Sequence, residues 1–135
     1  MRELFEYIKG ILGDKYDVIL QNVQEDTPGS LGLFFMQGAA DKETIDGEQV
    51  YECFNIHLQL VCDKTEESIY EGLDYLREVV DILESNETYG NENVTIVSIM
   101  RKGAKATPIG FNELGFPEVV ANLQLLYTLN KTEED

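Results

Sequence analysis

The stretch VYECFNIHLQLVC, residues 50–62, runs directly into DKTEESIYEGLDYLREVVDILES, residues 63–85, and these two segments decide the fold. The first has a period of two, which predicts a strand with one buried face. The buried face is expected to carry Phe54, Ile56, Leu58, Leu60 and Cys62. The second predicts an amphipathic helix, with Asp63 and Glu66 resembling a capping box at its start. Its apolar stripe is Ile69, Leu73, Leu76, Val80 and Leu83.

On either side of this pair the chain alternates between short apolar runs and polar connections. Residues 2–12 predict a short amphipathic helix that ends at Gly13. Further strands are predicted at residues 16–23, 31–36, 93–100 and 118–127, with a polar loop at 37–49 and a loop rich in Gly and Pro at 101–117. The order α-β-β-β-α-β-β predicts an α+β fold, a mostly antiparallel sheet with an N-terminal helix and a longer central helix packed on one side. Residues 1–130 are expected to form one domain, followed by an acidic disordered tail at 131–135.

Composition and charge exclude several classes of protein. The chain has 135 residues and 15.3 kDa, with 26 acidic and 10 basic residues and a net charge of -16. Its length suits one domain, and 43% hydrophobic residues suit a folded one. The acidity argues against binding to phosphates or to anionic lipid. Neither a secretion signal nor an apolar run that could span a bilayer is present in the sequence, so we expect a protein made in a reducing cytoplasm.

Cys53, His57 and Cys62 are the obvious candidates for metal or thiol chemistry. In a strand, Cys53 and His57 would lie about 13 Å apart, too far to bind one zinc ion. Cys53 and Cys62 would lie on opposite faces, so they cannot form a disulfide bond. We therefore expect Cys62 to be a core residue and His57 to lie on the sheet surface. No nucleophile, base and orienting partner can be assembled, so the sequence predicts neither an enzyme nor a cofactor or metal site.

Charged residues cluster in two places. The helix carries an acidic stripe opposite its apolar stripe, formed by Glu67, Glu71, Asp74, Glu78 and Asp81. It is either a solvated face or a functional acidic surface, because like charges at this spacing cost stability. The basic cluster Arg101, Lys102 and Lys105 is either ordinary loop charge or a contact for nucleic acid or an acidic neighbour.

One segment near the end of the sequence resembles a known family. Residues 107–116, TPIGFNELGF, contain an Asn-Glu-x-Gly turn, and residues 119–127, VVANLQLLY, read as a closing strand. This pattern resembles the C-terminal signature of the phage minor capsid and tail terminator proteins, in which a Pro-x-x-x-Gly loop leads to an Asp/Asn-Glu-x-Gly turn and a closing strand. The upstream layout is similar, with an N-terminal helix, a Pro28-Gly29 turn and a long strand running into a helix. The family often has an arginine near the end of that strand, where this sequence has Val61, Cys62 and Asp63.

The resemblance implies a structural virion protein of a long-tailed phage or prophage, assembled in the bacterial cytoplasm. Members of the family form a ring, typically of six subunits, which caps the tail tube and presents the surface that joins the head. The implied partners are further copies of the chain, the tail tube protein and a head-tail connector protein. Because a closed ring needs two different patches on each subunit, the loops at 37–49 and 103–117 are the candidate arms. The candidate interface residues are Asp41, Lys42, Glu43, Asp46, Glu48, Lys105, Pro108, Phe111, Asn112 and Glu113.

DNA passes through such a ring, so an acidic lumen would avoid retarding it. The acidic stripe or the segment 41–48 is therefore expected to face the lumen or a partner ring. Two alternatives remain open from the sequence. One is another head-tail connector completion protein or tail tube protein, and the other is a small α+β ligand-binding module.

Overall fold

The computed structural model describes the backbone of residues 2–45, 49–85, 94–101 and 103–129, and the side chains of residues 5–36, 55–85 and 103–125. The elements are α1 (Arg2–Leu12), β1 (Asp17–Leu20), β2 (Ser30–Ile45), β3 (Gln49–Val61), α2 (Glu66–Ser85), β4 (Val94–Arg101), β5 (Thr107–Phe111) and β6 (Pro117–Leu129). The predicted α+β fold and its element order are confirmed. The short strand β5 is an addition, since the sequence predicts only loop between residues 101 and 117. The predicted tail at 131–135 lies outside the described residues.

The strands form one mixed sheet in the order β1-β2-β3-β6-β4. The β1–β2 pair is parallel, and all the other pairs are antiparallel. One edge of β6 pairs with β3 along residues 118–127. Its other edge pairs with β5 at residues 117–120 and with β4 at residues 123–129. Strands β4 and β5 therefore share one edge of β6, end to end.

The core lies between one face of this sheet and both helices. Three cross-strand rows of buried side chains run over β2, β3 and β6: Leu31–Leu60–Val119, Leu33–Leu58–Ala121 and Phe35–Ile56–Leu123. Side chains of both helices belong to the same buried cluster, namely Ile8, Leu12, Leu73, Leu76, Val79, Val80 and Leu83. The predicted apolar stripe of α2 is thus confirmed, with Ile69 half-buried at its start. Gly13, at a φ of 72°, follows α1 as predicted.

The start of α2 differs from the prediction. The first helical residue is Glu66, and the Thr65 hydroxyl accepts a hydrogen bond from the Ser68 backbone N–H at 3.1 Å. The Ser68 hydroxyl in turn accepts from the Asp63 N–H at 2.9 Å. Thr65 is therefore the N-cap, and the predicted capping box of Asp63 and Glu66 is wrong. The Asp63 side chain instead accepts from the N–H of Lys64 at 2.8 Å.

The polar loop predicted at 37–49 is also wrong. Strand β2 continues to Ile45, and its backbone pairs with β3 again from Lys42 to Ile45 after a register shift between Gln37 and Lys42. Backbone hydrogen bonds to β3 do not require apolar side chains, so polar composition was a poor guide here. Residues 37–45 therefore belong to a long strand that runs antiparallel to β3.

Strand β1 is shorter than predicted and ends at Leu20. Gln21 has a φ of 61°, and its side chain bonds to the backbone of Phe35 in β2. The amide oxygen accepts from the Phe35 N–H at 2.9 Å, and the amide nitrogen donates to the Phe35 carbonyl at 3.2 Å. A side chain thereby takes the hydrogen bonds that another residue of β1 would have made.

Candidate functional site

The hairpin of β5 and β6 carries three exposed large apolar side chains, including the most exposed one among the described residues. Phe111 is 74% exposed, and Ile109 and Leu114 are each 53% exposed. Every residue of β5 is exposed, Pro108 included, and so is Glu113 in the turn. Three large apolar groups close together in sequence and open to solvent are typical of a surface that binds another molecule.

Asn112 holds the turn of this hairpin in place. Its side-chain oxygen accepts from the N–H groups of Leu114 at 3.0 Å and Phe116 at 3.1 Å, and its amide nitrogen donates to the Glu25 carbonyl at 2.8 Å. Gly115, at a φ of 87°, closes the turn. These bonds explain Asn112 within the fold, and its place in an interface stays a prediction.

The turn end of the hairpin is fixed to the connection between β3 and α2. The Lys64 ammonium lies 4.7 Å from the centre of the half-buried Phe116 ring, a cation–π contact. In addition, the Cys62 N–H donates to the Pro117 carbonyl at 2.8 Å. The exposed apolar side chains therefore stand on an anchored element, which favours a preorganised contact surface over a loose loop.

All residues of the predicted acidic stripe are exposed on α2: Glu67, Glu71, Asp74, Glu78 and Asp81. Two of them have cationic partners. Arg77 lies 3.4 Å from Asp74, and Lys105 forms an ion pair with Asp81. The second pair joins the basic cluster to the end of the acidic stripe, a contact that the sequence did not predict.

The stripe borders a groove of about 450 Å³ between α1 and α2. The groove is lined by Ile11, Lys15, Glu71, Asp74, Tyr75, Glu78, Val79 and Ile82. Its two helices are joined by the Tyr75 hydroxyl, which donates to the Leu12 carbonyl at 2.6 Å. Burial, and then the neighbouring Tyr16, raise the pKa of Tyr75 to about 12, so this donor stays protonated over the physiological range.

Several of the remaining interface candidates lie outside the described residues or outside the described side chains. Asp41, Lys42 and Glu43 lie in the backbone of β2, but their side chains are not among the described ones, and Asp46 and Glu48 lie outside the described residues. Lys105 is half-buried. The structure therefore brings Lys105 next to the acidic stripe, at Asp81, and places Pro108, Phe111, Asn112 and Glu113 together on the hairpin.

His57 and Cys62 occupy the positions that the strand pattern predicts. His57 lies half-buried on the sheet face away from the helices, with Nδ1 at 2.7 Å from the Asn122 side-chain oxygen and Nε2 at 3.1 Å from that of Gln59. Cys62 is buried in the core, and burial, with a smaller effect of Glu118, raises the pKa of its thiol to about 11. The thiol is therefore protonated at neutral pH and unsuited to act as a nucleophile.

Within the described ranges, no three His, Cys, Asp or Glu side chains come close enough to hold a metal ion. The helices in those ranges include none with the length and apolar character needed to cross a membrane. Compared with the models of known protein families and with curated proteins, the chain matches none.

Sequence reasoning missed Ile109 and Leu114 at the hairpin and Ile11, Lys15 and Ile82 at the groove. An apolar residue in a turn-rich segment gives no sign of whether it is covered, because that depends on elements far away in the chain. Ile82 did carry a signal, since it lies on α2 outside the predicted apolar stripe.

Proposed function

We propose that this chain is a structural virion protein of a long-tailed phage or prophage, which caps the tail tube as a ring and forms the head-tail joining surface. The observation that supports this proposal is the anchored hairpin with Ile109, Phe111 and Leu114 exposed. It lies in the segment, residues 107–127, that resembles the tail terminator signature.

The physical argument starts from the isolated chain. Exposed apolar side chains on a fixed hairpin are costly in water, and a neighbouring subunit or a tube subunit would cover them. In a ring, each such arm contacts a different patch on the next copy, which is a heterologous contact. The partners of the proposed ring are further copies, the tail tube protein and a connector protein, and its place is the tail of the virion.

The charge is consistent with the same role. DNA that passes through a ring is retarded by cationic walls and not by anionic ones. We therefore propose that the exposed acidic stripe, or the segment 41–48, faces the lumen or a partner ring.

The hairpin is tested by replacing Phe111 and Leu114 with Ser. Mixed with polymerising tube protein and viewed by electron microscopy, the natural chain is expected to cap tubes at a fixed length. The variant F111S/L114S is expected to leave tubes uncapped, because a large part of the apolar contact area is lost. Leu20 is 45% exposed on β1, away from the hairpin, so L20S is the matched control and should cap normally.

Two outcomes would contradict the proposal. Tubes that lengthen on addition of the natural chain would identify a tube protein. Capping that is unchanged in F111S/L114S would remove the hairpin from the interface. Circular dichroism establishes that each variant is folded before it is mixed with tubes.

A further inference from the structure

The groove between α1 and α2 combines an apolar floor with an anionic rim. The floor is formed by Ile11, Val79 and Ile82, of which Ile82 is 37% exposed. The rim carries the carboxylates of Glu71, Asp74 and Glu78, all exposed. We propose that this groove binds a basic amphipathic helical segment of a partner protein, with its apolar face on the floor and its Lys or Arg side chains on the rim.

The shape of the groove is set before a partner arrives. The Tyr75 hydroxyl bonds to the end of α1, and the Tyr75 ring meets that of Tyr16 edge to face at 4.7 Å between centres. Val79 and Leu76 fix α2 on the sheet, since both are buried. A preformed groove costs less ordering on binding than one that must open.

Charge determines the class of occupant. The rim has three carboxylates, and the cations near them are Lys15 and Arg77. Arg77 pairs with Asp74 at 3.4 Å, and both side chains are exposed. Such an exposed pair is weak and readily exchanged. An anionic ligand would be repelled, whereas a cationic segment would relieve the repulsion among the carboxylates.

A second copy of the chain is a poor occupant, because three of its five described cations lie over its own aromatic rings and the chain as a whole is strongly acidic. Three lie over aromatic rings: Lys9 over Phe5, Lys15 over Tyr16 and Tyr75, and Lys64 over Phe116. Two pair with carboxylates: Arg77 with Asp74, and Lys105 with Asp81. With a net charge of -16, two copies would also repel each other at this face. The groove shares no residue with the β5–β6 hairpin, so the capping experiment and the peptide experiment can fail separately. Its rim carboxylates do belong to the acidic stripe, for which the proposed function gives a position facing the lumen or a partner ring.

The probe is a labelled peptide of about 18 residues, long enough for about five helical turns, with Leu at helical spacing and Lys elsewhere. Its binding to the full chain is followed by fluorescence anisotropy at about 0.15 M salt. We expect saturable binding that weakens about tenfold in E71Q/D74N/E78Q, which removes three rim contacts. The matched control E25Q/E67Q/E113Q neutralises three exposed acids outside the groove and should change binding by less than about twofold.

Two single variants separate groove binding from general attraction to an acidic protein. I82Q removes part of the floor and should weaken binding about threefold, whereas L114Q, an equivalent change outside the groove, should not. K15Q removes the cation at one end of the groove and should strengthen binding about threefold, because a repulsive charge is lost.

Several outcomes overturn the proposal. Equal losses in the groove triple variant and its control would show charge attraction without a groove. Unchanged binding in I82Q, weaker binding in K15Q, or the absence of saturable binding would also overturn the proposal. A dimer seen by sedimentation that is lost in I82Q would assign the groove to a second copy.

Discussion

Cys62 shows how a residue with reactive chemistry becomes part of the core. It packs beneath α2 against Gly72, where a Cβ would lie only 3.0 Å from the Cys62 sulfur. Gly72 therefore allows the helix to approach the end of β3 closely. The thiol is enclosed by this approach, which is the desolvation that raises its pKa to about 11.

The raised pKa of Cys62 predicts a pH dependence of stability. The folded state keeps a proton that the unfolded state releases above its ordinary thiol pKa of about 8.5, so the free energy of unfolding should fall as pH rises from there toward about 11. Urea unfolding of C53S at about pH 8 and 9.5, below the ordinary tyrosine range, measures the fall. C53S/C62A should show a smaller fall over the same interval. Equal falls in both variants would contradict the assignment to Cys62.

At the scale of single elements, the β5–β6 hairpin depends on one turn residue. The Asn112 side chain supplies the acceptor for two backbone N–H groups of the turn and the donor that ties it to Glu25. A tight turn of this kind keeps the side chains of Phe111 and Leu114 exposed, although burying these apolar groups would be favourable. The exposed surface thus rests on polar bonds made within the chain.

We expect N112A to lower the free energy of unfolding by about 2 kcal/mol, because two N–H groups lose their acceptor and one carbonyl loses its donor. N112D keeps an acceptor oxygen and should lose less. E113A, at the exposed neighbouring position, should stay within about 0.5 kcal/mol of the natural chain. Urea titration of the four proteins measures these differences. A loss in N112A no larger than that in E113A would show that the turn does not need its side chain.

At the scale of elements, those with a strong hydrophobic period could be predicted from the sequence, whereas the pairing of strands could not. The alternation in β3 and the stripe on α2 come from side chains that face one core, so both elements and the exposed acidic stripe could be predicted. The pairing of Lys42–Ile45 with β3 and of β5 with β6 depends on backbone partners, which polar or turn-rich composition does not reveal. The groove could not be predicted, because it depends on the contact of Tyr75 with Leu12. These residues are too far apart in sequence for a local pattern to show that they meet.

At the scale of the whole molecule, negative charge is concentrated on the solvent face of α2. A net charge of -16 disfavours compact folding through self-repulsion, yet much of α2's solvent face remains acidic. Two acids of this face, Asp74 and Asp81, form ion pairs with cations. In the proposed ring, the exposed acidic residues of α2 would form a wall that does not retard DNA in the assembled particle.

The proposed lumen role of the stripe predicts a dependence on the sign of charge. Phage carrying E67K/E71K/E78K should eject DNA more slowly, since cations on the wall would hold phosphates, and the slowing should lessen at higher salt. The neutral variant E67Q/E71Q/E78Q should eject normally, because a wall that does not attract DNA is sufficient. Ejection rates and titres measure both. Unchanged ejection in the Lys variant would contradict a lumen position for the stripe.

The position of β6 has a consequence for synthesis. Among the described strands it comes last in chain order, yet it lies inside the sheet, between β3 on one edge and β4 with β5 on the other. A nascent chain that has not yet released β6 from the ribosome therefore holds β3 with an open edge and lacks Val119, Ala121 and Leu123 from its core rows. The sheet is therefore completed only after β6 has been synthesised, and until then the unpaired edge of β3 is the place where chaperones or other nascent chains would bind.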